Sequence, residues 1–370
     1  MMRRMVRVLA LLAVVMLAGA PLLAPGSASA QARVQEQHYG ATFEFDPGVS
    51  ELDKYSVIEG IRLGQLMIAQ NFGIDRLANL RIKVLSDVSG DGDTTLATTF
   101  GSEIEVYTSS DVWQSLSSIE RVETLVHELF HVYQNLMIQS AIEPELAWFA
   151  EGTADAVGFA AVLPLGVTSQ DEVYNMMSYM LTQNPISTPF SELEGFDSMQ
   201  ADAYPLAYMA TQYLLGSRGL PVGAIGTVYE GLAAGKPFAQ AFQDAFGVTP
   251  QDFYTEFEAW RPGIVQTLRL DDDFWREEVS ATASAFVLDP LPAQVASTGQ
   301  LTVTGQTAPD VSCELTVAIG PTTLQRPAES NSSGEVYWLV SMPEGTAVNT
   351  GTLTASCGAA PVSGSFAIAA

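Results

Sequence analysis

The chain has 370 residues, 47% hydrophobic and 16% charged, enough apolar surface for a folded protein of more than one domain. Asp and Glu number 42 against 16 Lys and Arg, for a formal net charge of -26. A surface that acidic repels phosphate backbones and anionic lipid, which argues against a nucleic-acid partner and against anchoring on a charged bilayer.

Arg3, Arg4 and Arg7 precede an apolar run from Val8 to Ala20, and Ala28-Ser29-Ala30 supplies a small-residue cleavage site. This is the three-part pattern of a secretory signal peptide over residues 1–30. The run is short for a bilayer and broken by Gly19 and Pro21, so the expectation is a secreted or extracytoplasmic protein with no membrane span after signal removal. Loss of three Arg would take the net charge from -26 to -29.

Apolar positions at helical spacing from Glu51 to Phe72 predict a helix. Arg81 to Ser86 and Glu103 to Thr108 read as short strands. Asp87 to Thr94 between them is Gly/Asp-rich and matches no EF-hand spacing, so it reads as a solvated turn. From Ser118 to Trp260 the pattern is helical, punctuated by Gly and Pro.

After Asp271 the pattern changes. A linker is expected over 269–284 and a small antiparallel β-sandwich over 285–370, with strands at Leu301–Thr304, Cys313–Ile319, Val336–Val340 and Leu353–Cys357. Trp338 is expected in its core. Cys313 and Cys357 are the two cysteines of the chain. In an exported protein such a pair reads as a disulfide, and each sits on the inward face of its strand pattern.

Residues 127–131 read His-Glu-Leu-Phe-His inside the helical pattern. Positions i and i+4 point the same way, so His127 and His131 can reach one metal ion, with Glu128 beside them as a general base. A catalytic zinc needs a third protein ligand. No histidine follows His131, so the third ligand must be a carboxylate or there is none. Glu151 lies 20 positions on, far enough for a second helix to return antiparallel. Asp155, one turn further, can hydrogen-bond the distal nitrogen of a ligating His and fix its tautomer.

This set resembles the gluzincin zinc metallopeptidases, especially the peptidase MA-like group. The resemblance covers about residues 50–265. It implies an α+β zincin-like domain over 31–268, with a small N-terminal sheet and a mostly helical remainder, followed by an all-β Ig-like sandwich. It also implies one Zn²⁺ per chain on His127, His131 and Glu151, Glu128 as catalytic base, and Asp155 orienting His127. Tyr204, nine positions before Tyr213-Leu214, is similar to the family's oxyanion-binding Tyr, with Tyr208 and Tyr213 as competitors. The aminopeptidase motif Gly-x-Met-Glu-Asn has no match between Arg33 and His127, so the expected activity is that of an endopeptidase on peptide or protein substrates. The alternative is a catalytically degenerate envelope-surface protein that binds or adheres through this fold and the β-domain, whose own surface would then carry a ligand.

Overall fold

The computed structural model describes residues 33–86, 95–138, 147–165, 168–195, 199, 201–266, 286–297, 299–308, 311–330, 334–343, 346–347, 349–358 and 360–369. The expected signal peptide 1–30, the expected turn 87–94 and the expected linker 269–284 lie outside them. Among the described residues, no helix is long and apolar enough to cross a membrane.

The N-terminal part is mixed α/β. Strands β1 (Val34–His38), β2 (Ala41–Phe45), β3 (Arg81–Leu85), β4 (Ala97–Phe100) and β5 (Glu103–Tyr107) form a sheet of order β1-β2-β3-β5-β4. The β1–β2 and β4–β5 pairs are antiparallel, and β2–β3 and β3–β5 are parallel. One face is apolar: Phe43, Phe45, Ile82, Val84, Ile104 and Val106 alternate along their strands and are buried. On the other face Lys83 pairs with Glu103 and Glu105. Of these five strands, the sequence pattern predicts β3 and β5. In β4, Thr98 and Thr99 carry polar side chains yet are buried, which hides the strand from a pattern of apolar alternation.

Helix α1 (Glu51–Phe72) has the predicted bounds, capped by Ser50, whose hydroxyl accepts from the Asp53 N–H, and closed by Gly73 in the left-handed conformation. The short α2 (Asp111–Ser115) leads into α3 (Ser118–Ile138), the helix that carries the motif. Gly60 and Gly64 of α1 let α3 approach closely: a Cβ on either would lie 2.5 Å from Leu125 or 2.6 Å from Leu129. A buried cluster secures the same pair, with Asp53 accepting from Arg121 at 3.1 Å and from the Trp113 indole at 2.7 Å.

Helix α4 (Ala147–Val162) is buried along almost its whole length and packs on α3 and on α6 (Tyr204–Arg218). Gly152 makes the second contact possible, because a Cβ there would meet the Ala207 carbonyl oxygen at 2.4 Å. An aromatic cluster anchors the start of α4: the Trp148 ring lies 4.8 Å from Phe190 and stacks on Phe253 at 5.5 Å, and its indole donates to the Tyr254 hydroxyl. Phe253 and Tyr254 belong to α9 (Pro250–Trp260), reached through α7 (Ala224–Ala233) and α8 (Phe238–Phe246); α5 (Gln170–Gln183) packs on α6, and α10 (Pro262–Gln266) ends this part.

The C-terminal part is β-rich. Strands β6 (Val287–Leu288), β8 (Gln300–Gln306) and β11 (Glu335–Ser341) form one sheet, order β11-β8-β6. Strands β7 (Gln294–Ala296), β9 (Ser312–Ile319), β10 (Thr322–Glu329), β12 (Asn349–Ser356) and β13 (Val362–Ala369) form the other, order β10-β9-β12-β13-β7. Both sheets contribute to one core, where Trp338 is fully buried against Phe286 and beside Leu301, Leu315 and Phe366. The expected all-antiparallel pattern has one exception: β7 pairs with β13 in parallel. The chain crosses between the sheets before and after β7, so no hairpin dictates that strand's direction. Cys313 and Cys357 form a disulfide. Because β9 and β12 are neighbours in register, with Ser356 opposite Glu314, the bridge joins adjacent strands of one sheet rather than two sheets.

The β-rich part rests on α1. Leu339 enters the main core, the Ser341 hydroxyl donates to the buried Glu59 carboxylate at 2.7 Å, and the Arg326 guanidinium lies 5.0 Å from the Tyr55 ring centre.

Candidate metal centre

His127 and His131 lie one turn apart on α3, and Glu151 faces them from the first turn of α4. Their ligand atoms form a triangle. The two Nε2 atoms are 3.0 Å apart, and Glu151 Oε2 lies 3.5 Å from His127 Nε2 and 3.3 Å from His131 Nε2. A tetrahedral ion with bonds of about 2.0–2.2 Å holds its ligand atoms about 3.3–3.6 Å apart. The triangle matches that spacing, with the histidine edge the short one. Glu151 Oε2 is buried and has no hydrogen-bond partner among the described residues. A buried carboxylate oxygen without a donor is costly unless a cation faces it. The residues therefore fit a divalent ion that prefers nitrogen and oxygen donors.

The electrostatics agree. Burial alone would raise the Glu151 carboxyl, but the His131 and His127 imidazoles beside it hold it down at about 2. Burial would lower both histidines; Asp155 and Glu151 outweigh it at His127, and Glu151 outweighs it at His131, so both are raised. The pocket is thus anionic and arranged to hold positive charge on the face shared by the two Nε2 atoms.

Both histidines are held from behind. Asp155 Oδ1 lies 2.8 Å from His127 Nδ1, as the spacing on α4 predicts. His131 Nδ1 lies 2.7 Å from Gln134 Oε1, and the Gln134 amide donates to the Ala150 carbonyl at 2.9 Å and to the Thr153 hydroxyl at 3.2 Å. Glu128 is fully buried; its Oε2 accepts from the Thr99 hydroxyl of β4 at 2.6 Å, while its Oε1 has no partner among the described residues. The edge strand therefore fixes the orientation of that carboxylate and leaves one oxygen free for chemistry.

Glu123, one turn before His127, adds a second buried acid behind the centre. A Glu123 oxygen, a His127 ring nitrogen and an Asp155 oxygen all lie within 4.8 Å of one another. Burial, with the charge of Asp155, pushes the Glu123 carboxyl up to about 8.

The three tyrosines diverge. Tyr204 is the first residue of α6 and is buried in the main core. Tyr208 accepts from the Gln170 amide at 3.0 Å and packs edge-on to Phe159; burial raises its phenol, and Asp155 and Glu123 add to the rise. Tyr213 stacks on Trp260 at 4.7 Å and joins Phe253 and Phe257, an aromatic contact that gives it a packing role. Tyr229 of α7, which the sequence reading did not single out, has its hydroxyl 3.3 Å from the Thr153 hydroxyl.

Gln134, Thr99, Thr153 and Tyr229 were missed as supports of the site. Gln134 had a readable signal: an uncharged polar residue three positions after a motif histidine, on an otherwise apolar helix face. Thr99 and Tyr229 are brought in by folding alone.

No known protein family and no curated protein matches the sequence. Among solved structures, the chain is similar to a crystal structure of Legionella pneumophila aminopeptidase A in complex with aspartic acid, with 10% identity and a TM-score of 0.41. The match covers 91% of this chain and 38% of that one, so this chain spans well under half of that protein's length. A likeness at this level assigns neither fold nor activity.

Proposed function

We propose that this protein is an exported zinc metallopeptidase of the gluzincin type that cleaves peptide bonds as an endopeptidase, over a zincin-like domain 31–268 followed by a linker and an Ig-like β-domain 285–370. One observation carries the reading: the triangle of His127, His131 and Glu151 ligand atoms, with spacings of 3.0, 3.3 and 3.5 Å, beside a buried Glu128 whose Oε1 is unpartnered among the described residues. Zinc bound there would act as a Lewis acid that makes water nucleophilic near neutral pH and polarises the scissile carbonyl.

The chain's own residues do the rest. His127, His131 and Glu151 would hold the ion, and Asp155 would keep His127 in the tautomer whose Nε2 lone pair faces inward. Glu128, steadied by Thr99, takes the proton of the attacking water on Oε1 and passes it to the departing amine. Tyr204 donates a hydrogen bond to the carbonyl oxygen as negative charge develops on it. The acidic surface and the signal sequence accord with a soluble exported enzyme.

Chelator-sensitive cleavage of a peptide library by the purified protein, with Glu128→Gln as control, tests this. The expected result is cleavage by the native chain and a loss of about 10²–10⁴-fold in the variant with zinc retained. Stoichiometric zinc with no cleavage of any peptide would favour the degenerate binding protein instead.

A further inference from the structure

The support of His131 differs from that of His127. Behind His127 stands a carboxylate. Behind His131 stands the neutral amide of Gln134, and both ends of that amide are committed. Gln134 is fully buried, and its nitrogen faces the Ala150 carbonyl at 2.9 Å and the Thr153 oxygen at 3.2 Å. A backbone carbonyl can only accept, so the NH₂ end of the amide must point there. The oxygen end is then forced toward His131, where it sits 2.7 Å from Nδ1. An amide oxygen can only accept, so His131 must carry its proton on Nδ1. That leaves the Nε2 lone pair for the metal.

The Thr153 hydroxyl completes the accounting. It has one proton, which goes to the Phe149 carbonyl at 2.5 Å. Its lone pairs are left to accept from Gln134 and from the Tyr229 phenol. Every group in this chain of hydrogen bonds therefore has one direction. The same amide also ties α3 to α4 at Ala150, the residue immediately before Glu151, so it sets the spacing between the second and third ligands.

Resting on the metal-site reading above, we propose that Gln134 is a positioning residue: its amide fixes the His131 tautomer for metal binding and locks the His131-bearing helix to the peptide that presents Glu151. Removing such a partner of a ligating His weakens metal affinity by about 10–100-fold.

The test is zinc affinity of the full chain, measured by chelator competition on metal-stripped protein, for the native sequence, Gln134→Leu and Gln134→Glu. Gln134→Glu keeps an acceptor toward His131 but loses the amide donors to Ala150 and Thr153. The expected outcome is an about 10–100-fold weaker zinc Kd for Gln134→Leu, which loses both the acceptor and the tie, and a smaller loss for Gln134→Glu, which loses the tie alone. In ¹⁵N spectra of the zinc-loaded native chain, the His131 ring proton should be on Nδ1 and protected from solvent exchange, and the protection should vanish in Gln134→Leu. Equal loss of affinity in both variants would show a helix tie alone and overturn the tautomer role. A native His131 lacking the Nδ1 proton overturns it too, even if Gln134→Leu fails to fold. Native protein that binds no zinc overturns the metal-site reading and this inference with it, whereas native zinc binding unchanged in Gln134→Leu overturns this inference alone.

Discussion

The two parts of the molecule fill their interiors differently. Where α3 meets α4, the buried positions include His127, Glu128, His131, Gln134, Glu151 and Asp155. The interior of the β-rich part is apolar apart from Ser330 and Ser341 among the described residues, and it is closed by the Cys313–Cys357 bridge. Burying ionisable groups costs several kcal/mol each unless they are paired or hold a metal. The helical part bears that cost in the Asp53–Arg121 and Glu59–Arg62 pairs and again where three candidate ligand atoms converge. The contrast sets the metal-fitting cluster between α3 and α4 apart from an apolar β-rich interior.

If the contrast is right, damage to one region should leave the other's property intact. The largest expected stability effect is in the β-rich part. Replacing both cysteines by Ala opens a loop spanning a sequence separation of 44, which in the loop-entropy model removes about 4 kcal/mol of stability. Calorimetry should show a lower unfolding temperature for that part, with zinc affinity unchanged. A loss of zinc affinity in the same variant would break the separation and point to the contacts of Ser341 and Arg326 with α1 as a route between the two parts.

Next in size is Tyr204→Phe. As oxyanion donor, Tyr204 should contribute about 100-fold to kcat, equivalent to about 2.7 kcal/mol, with zinc content and thermal stability untouched. An unchanged kcat in this variant, with a drop in Tyr208→Phe, would move the role to Tyr208.

The smallest effect concerns Glu123 and reads out as a slope rather than a loss. Its carboxyl is pushed from 4.5 up to about 8 in the folded protein by burial and by Asp155. Between those values the folded state keeps a proton that the unfolded chain releases. Glu123 therefore makes metal-free stability fall as pH rises through the window from 4.5 to about 8. Glu123→Gln cannot titrate and should flatten that slope in denaturant unfolding measured from pH 5 to pH 9. An identical slope in both proteins would show that Glu123 ionises normally and that the pair with Asp155 is not formed.

Much of the site was legible because its spacing is local. His127, Glu128 and His131 need only the geometry of a helix, and Glu151 with Asp155 need only a second helix returning to meet it. The helix Glu51–Phe72 was equally readable, since its apolar spacing, Ser50 and Gly73 all mark it. The supports were not legible, because each depends on a partner distant in sequence: Thr99 reaches Glu128 from a strand whose residues look like a loop, and Tyr229 reaches Thr153 from another helix. Strands β1, β2, β10 and β13 escaped for a related reason. In β10 and β13 the outward positions include Thr, Gln and Ser, a pattern that a turn-rich loop shares; β1 is mostly polar, and β2 alternates Ala41, Phe43 and Phe45 with Thr42 and Glu44 over only five residues. The placement of the disulfide within one sheet could not be foreseen either, because cysteine spacing does not say which strands become neighbours.

Under this proposal three side chains from two helices hold one metal ion. Elemental analysis of the purified full chain, native against Glu151→Ala, tests it most directly. The expected result is close to one zinc per native chain and near-complete loss in the variant, with the fold of the variant preserved by circular dichroism. Zinc retained in Glu151→Ala at the native level would contradict the assignment of Glu151, and native protein without zinc would contradict the metal centre itself.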